Sequence, residues 1–137
     1  MPSLSKKLKM QKAKLLYSDL EKASQRLKEI CSAPFTITNR DATIKRFEFT
    51  FEVAWKLIKT IVELSGRKTA SPRSSIRVAA DIGLIDEPQK WLKFLETRNI
   101  TVHIYKESMI KEVYPAAKKF PVLVTKLLET AKTHLDS

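Results

Sequence analysis

Eight consecutive residues, Arg98-Asn99-Ile100-Thr101-Val102-His103-Ile104-Tyr105, hold a guanidinium, a carboxamide, one of the chain's two imidazoles and a phenol. An imidazole with a pKa near neutrality can take the proton of a ribose 2′-hydroxyl or return one to a leaving oxygen. A guanidinium beside it can stabilise the negative charge that builds on a phosphoryl group, and the Asn99 amide can orient either the imidazole or the phosphate. Together these side chains could carry out transesterification of RNA, although a lone histidine near a helix end is more often a polar core or capping residue. That chemistry needs no metal and no cofactor. No other stretch of the chain concentrates reactive groups so tightly.

The cluster must be positioned by helix. Trp91, Leu92 and Leu95 recur at helical spacing just before it, so it falls on or near the end of an amphipathic helix. On an ideal helix each residue advances about 100°, which puts Asn99 and His103 roughly 40° apart on one face. Arg98 and Tyr105, seven positions apart, share another face, and Arg98 diverges from His103 by about 140°. One straight helix therefore does not aim all four groups at one point. Either the helix bends or ends near His103, or a second protomer completes the site. The latter predicts a dimer with the cluster at its interface.

The remaining elements are legible from periodicity. The stretch from about Ser3 to Ile30 reads as a long helix with Leu4, Leu8, Leu15, Leu16, Leu20, Leu27 and Ile30 as its apolar positions. Five lysines between Lys6 and Lys14 oppose the helix dipole at its start, so this end is expected to fray or to meet an anionic partner. Cys31 to Arg40, with Pro34 and the Thr36-Ile37-Thr38 run, reads as a loop, and Asn39 or Asp41 is placed to cap the next helix. From there Ile44, Phe47, Phe51, Ala54, Ile58 and Ile61 alternate at three and four residues, the seam of the most buried helix in a bundle, widened by Val53, Leu57 and Leu64 and ended by Gly66. Ser71-Pro72 opens a short helix that stops near Gly83, and Asp86-Glu87-Pro88 opens the helix of the cluster. A last helix spans about Lys106 to Leu135, with Val113, Leu123, Leu127 and Leu128 facing the core and with Pro115 and Pro121 expected to kink or restart it. The expectation is an all-α bundle of about five helices forming a single domain over residues 1–137.

Composition narrows the classes of function. A length of 137 residues with 43% hydrophobic and 30% charged residues belongs to a folded domain able to bury its own core. Two glycines leave little material for hairpins or phosphate-cradling loops. The single Cys31 excludes an intrachain disulfide, and with two histidines a structural zinc site is not expected. The absence of any long apolar run argues against a membrane span or secretory signal and makes the cytoplasm the expected location. The formal charge of +11 favours a polyanionic partner, nucleic acid before an acidic protein.

Weaker candidates surround the main one. Glu48, Glu52 and Lys56 form a polar ridge beside the apolar seam, readable as a general-base pair or, more commonly, as an ion-pair ladder. Ser71 and Arg73 could hold a phosphate at a helix N-terminus, although capping is the more frequent role of such a serine. Trp55 and Trp91 could stack on a base but read better as core residues. His134 lies near the end of the last helix, far in sequence from the other candidates.

The arginine, the four-residue gap, the histidine and the tyrosine two positions on resemble the motif of HEPN-domain proteins. The resemblance is strongest to the branch once called nucleotidyltransferase substrate-binding proteins. Two more blocks fit that branch, Arg46-Phe47-Glu48-Phe49-Thr50-Phe51-Glu52 with Ala54-Trp55-Lys56, and Ser71-Pro72-Arg73 followed by Ile76-Arg77 and Gly83-Leu84-Ile85. The resemblance implies an antiparallel helical bundle that dimerises with its two motifs in a shared groove, and a partnership with a separate minimal nucleotidyltransferase. In the toxin–antitoxin form of that partnership the HEPN protein is a metal-independent RNase, for which tRNA is the first candidate substrate. Carried over by position, Arg98 and His103 are its catalytic pair, Asn99 supports them, and Tyr105 is the residue to which the partner attaches AMP. The older name implies a different role, a non-catalytic subunit that binds a nucleotide or substrate for the partner enzyme.

Overall fold

The computed structural model describes residues 3–103 and 105–136, so Ile104 of the motif lies outside the described residues. The described chain forms five α-helices and no strand: α1 (Leu4–Cys31), α2 (Ile37–Leu64), α3 (Pro72–Asp81), α4 (Pro88–Ile100) and α5 (Glu107–Leu135), with a single 3₁₀ turn at Thr101–His103. No helix is long and apolar enough to cross a membrane among the described residues.

The long helices pack in register. Arg46 on α2 donates to the Arg26 carbonyl of α1, Thr50 to that of Ala23, and Lys9 pairs with Glu63, so one helix descends as the other climbs. Helices α4 and α5 are likewise antiparallel, joined by Glu87 with Lys126 and by Phe94 with Phe120. The seam expected on α2 is the centre of the molecule. Phe47, Phe51, Ala54 and Ile58 are fully buried, and Ile44 and Ile61 nearly so. Phe47 and Phe51 meet Phe120 of α5, and Trp91 of α4 meets Phe120 edge-on at 5.5 Å. This aromatic knot makes Trp91 a core residue. Trp55 is half-buried against the same core.

Several expectations are corrected. Residues 37–40 are helical, and Thr36 rather than Asn39 or Asp41 caps α2, its hydroxyl accepting from the Asn39 N–H at 3.0 Å. The threonine is β-branched, but at the cap its hydroxyl satisfies an otherwise orphaned donor. Asn39 instead donates its side-chain amide to the Pro34 carbonyl. On α1, Leu4, Leu8 and Leu15 are exposed, while Ala13, Leu20 and Leu27 are buried. The lysine-rich start of α1 is capped by Ser3, whose hydroxyl accepts from the Lys6 N–H. Helix α5 runs unbroken through Pro115 and Pro121. Each proline removes one intrahelical donor. At Gly66 and Gly83 the backbone φ is +92° and +76°, the left-handed conformation that ends α2 and α3 without the penalty a Cβ would bring.

A smaller apolar cluster lies apart from the main core. Ile44 of α2 packs with Ile110 and Val113 of α5, and Ile100 and Tyr114 lean against them. Above it, Arg40 reaches Asp41 at 3.1 Å and Glu107 at 3.3 Å, tying the starts of α2 and α5. Together these contacts brace the corner between α4 and α5, where the motif sits.

Candidate functional site: the corner between α4 and α5

Three β-branched residues in a row, Ile100-Thr101-Val102, weaken the helix at the end of α4. Thr101 then tightens it. Its backbone N–H donates to the Arg98 carbonyl, and its buried hydroxyl donates to the same oxygen at 2.6 Å. A side chain that competes for a helical carbonyl favours termination, and the chain passes into the 3₁₀ turn. Of the two solutions open to the sequence, the helix does end before His103, so its four groups are no longer bound to the faces of one straight cylinder. Thr101, which sets this turn, was not among the residues singled out by pattern. The β-branched run is the signal that points to it.

Arg98 is the fixed member of the group. Its guanidinium donates to Glu52 of α2 at 2.6 Å, with a longer contact of 3.4 Å to the Asn99 side-chain oxygen. Glu52 also receives Lys56 at 3.6 Å. The acidic ridge on α2 is thus an ion-pair ladder whose middle rung reaches across to the motif. Both side chains of the Arg98–Glu52 pair are about one-third exposed, 32% and 33%. Arg98 remains accessible to an anion from the solvent side.

His103 and Tyr105 are exposed, the latter by 75%. Their rings meet edge to face with centroids 6.2 Å apart, and the Lys106 ammonium lies 5.8 Å from the centre of the Tyr105 ring. Among the described residues no hydrogen bond or ion pair engages the His103 imidazole, which leaves its nitrogens available to a substrate. The His103 carbonyl accepts from the Lys106 N–H at 3.1 Å, and the Lys106 carbonyl accepts from Met109 and Ile110 as α5 begins. Asn99 is exposed beside Arg98.

The other candidates fall elsewhere. Ser71 and Ser74 form a reciprocal capping box at the start of α3, and Arg73 stands exposed in its first turn. No contact among the described residues joins either to the Arg98 group. Glu48 pairs loosely with Lys45, at 3.9 Å. Cys31 is half-buried, and burial pushes its thiol up despite the opposing charge of Lys118, so it does not present a thiolate nucleophile near neutral pH. Among the described residues no three His, Cys, Asp or Glu side chains gather where they could hold a metal ion.

Residues 15–133, which include every element of this corner, match the family described as nucleotidyltransferase substrate binding protein like. The chain belongs to that family. It is 30% identical over 91 residues to a Haemophilus influenzae protein named probable ribonuclease HepT. The match takes in 63% of this chain and 62% of that one, so the chain spans about three-fifths of the length of this curated relative. A solved protein of Thermus thermophilus superposes with a TM-score of 0.76 at 32% identity, over 82% of this chain and 98% of that one. A second solved structure, from Haemophilus influenzae, is described as revealing the fold of a substrate binding domain of a nucleotidyltransferase. It superposes with a TM-score of 0.64 at 22% identity, over 90% of this chain and 98% of its own, a likeness of fold.

Proposed function

We propose that this protein is a metal-independent endoribonuclease that works as a homodimer and is silenced by a minimal nucleotidyltransferase partner. The observation that carries this reading is the Arg98 guanidinium, held by Glu52 at 2.6 Å, on the same corner as an exposed His103 whose imidazole no hydrogen bond or ion pair engages among the described residues. In the reaction the 2′-oxygen of a ribose loses its proton and attacks the adjacent phosphorus. The bond from phosphorus to the 5′-oxygen breaks, and that oxygen gains a proton. The products are a 2′,3′-cyclic phosphate and a 5′-hydroxyl. His103 handles a proton, Arg98 stabilises the charge on the phosphoryl oxygens, and Asn99 supports the pair. One imidazole cannot take a proton and give one in the same step. The corner offers one per chain, and a second copy would supply the other. Tyr105, exposed beside His103, is the position where an attached adenylate would bring its own negative phosphate next to the pair and exclude a substrate.

Incubation of total tRNA with the protein in EDTA tests the reading. Wild type is expected to cut and His103→Ala to leave tRNA intact while keeping its helical spectrum. A wild type that never cuts would favour the second reading, a non-catalytic subunit that binds a nucleotide or substrate for the nucleotidyltransferase. That alternative is supported by the description of the family that residues 15–133 match, nucleotidyltransferase substrate binding protein like. Calorimetric titration with ATP is its direct measurement.

A further inference from the structure

The face of α2 that carries Glu52 continues away from the motif into a second depression, between α1 and α2. Its floor is made by Ala23 and Thr50, where the two helices come close enough for the Thr50 hydroxyl to reach the Ala23 carbonyl at 3.4 Å. Its walls are long cations, Lys22 and Arg26 from α1 and Lys45 and Arg46 from α2, against one acid, Asp19. On α1, Asp19, Lys22 and Arg26 are spaced to share one helical face. Lys45 and Phe49 line both this depression and the smaller one that holds Glu52 and Arg98, so the two adjoin. Phe49 is 62% exposed, a large aromatic ring presented to solvent at the junction. Among the described residues no carboxylate pairs with Lys22, Arg26 or Arg46. The guanidinium of Arg46 is held in place by the Arg26 carbonyl at 2.9 Å, which leaves its charge uncompensated.

We infer that this groove is a single-stranded RNA track that leads the chain to the Arg98 corner, with one base stacked on Phe49 and the flanking phosphates held by Lys22, Arg26 and Arg46. The inference rests on the ribonuclease reading, since it supplies that site with its substrate path. A cationic groove with an exposed aromatic ring is the combination that binds single strands without regard to sequence, because every base has a face to stack and every nucleotide a phosphate to neutralise. The groove volume of about 510 Å³ lies within the range of sites that hold a nucleotide-sized ligand. A second copy of the chain is the less suitable occupant of this face. Meeting across a two-fold axis, the two copies would set the same four cations against one another.

The test uses a fluorescein-labelled, fully 2′-O-methylated single-stranded oligonucleotide, which lacks the nucleophile and cannot be cut. Its affinity is read by anisotropy over a series of salt concentrations, beside tRNA cleavage by the same proteins. Phe49→Ala is expected to weaken binding about tenfold, and Phe49→Tyr to restore it. The pair Lys22→Gln with Arg26→Gln should flatten the salt dependence by about 0.7 for each phosphate no longer neutralised. Light scattering on each variant separates this from dissociation of an oligomer, which would not flatten the slope in step with charges removed. A wild type that cuts tRNA while probe binding ignores Phe49, Lys22 and Arg26 overturns the groove. A change of mass in Phe49→Ala at constant probe affinity does so too, and assigns the face to a contact between copies. A wild type that binds the probe through Phe49 yet never cuts keeps the groove and removes the ribonuclease reading.

Discussion

Arg98 meets Glu52 across 46 residues of sequence, and the 2.6 Å contact decides what each side chain can do. A guanidinium at the end of a helix is otherwise free to sweep through solvent. Held by a carboxylate, it presents its remaining donors in a fixed fork. Because both partners are about one-third exposed, screening keeps the contribution to folding small, about 1 kcal/mol. On the proposed ribonuclease reading the larger effect falls on catalysis, where misplacement of a charge-stabilising group is costly. Glu52→Ala is expected to slow tRNA cleavage about tenfold, in kcat more than in KM, equivalent to about 1.4 kcal/mol of transition-state stabilisation. Glu52→Gln should lose less, since an amide oxygen still accepts from Arg98. Single-turnover cleavage by the two variants provides the check, and faster cleavage by Glu52→Ala would mean that the carboxylate shields Arg98 instead of aiming it.

At the scale of elements, α3 separates a capping role from a binding role. Ser71 exchanges hydrogen bonds with Ser74 in a capping box, accepting from the Ser74 N–H at 3.1 Å while the Ser74 hydroxyl receives the Ser71 N–H at 3.2 Å. Ser71→Ala is expected to cost about 1 kcal/mol in urea unfolding and to leave tRNA cleavage unchanged. Arg73→Ala, at an exposed position, should alter neither. Loss of cleavage at unchanged stability in Arg73→Ala would return a phosphate to this helix start. The same elements show what a sequence can carry. The seam on α2 was legible because burial of one helical face imposes its own period, and Ile44 through Ile61 obey it. The Ser71-Pro72 start and the Gly66 and Gly83 stops were legible because each solves a local backbone problem. The start of α2 was not, because Thr36-Ile37-Thr38 combines low helix propensity with a good cap, and tertiary burial of the following seam outweighs the former. Leu4, Leu8 and Leu15 keep an apolar spacing without a surface to pack on, so periodicity alone overcounts the core. The Arg98–Glu52 rung was out of reach. Glu52 belonged to a visible ridge, but which cation would meet it depends on how α4 lies across α2.

The whole molecule raises a question that its helices one by one do not. A chain with formal charge +11 repels its own copies at long range, and the proposed chemistry still asks for two imidazoles in one place. Both conditions can hold if the protomers meet near the α4–α5 corner, where Glu48, Glu52 and Glu107 dilute the positive charge, and leave the cationic α1–α2 groove facing outward. A shared site of this kind has a stoichiometric signature. If one His103 takes the proton and the other gives it, a dimer with a single His103 is inactive rather than half-active. Wild type and His103→Ala, mixed at constant total protein and allowed to exchange subunits, would then lose activity as the square of the wild-type fraction, leaving about one-quarter at an equal mixture. A linear decline to about one-half is the outcome for a site complete within each chain. The salt series distinguishes the two further, because screening the net charge should strengthen the dimer while it weakens RNA binding, so cleavage at low protein concentration would pass through a maximum in salt only if the working unit is the pair.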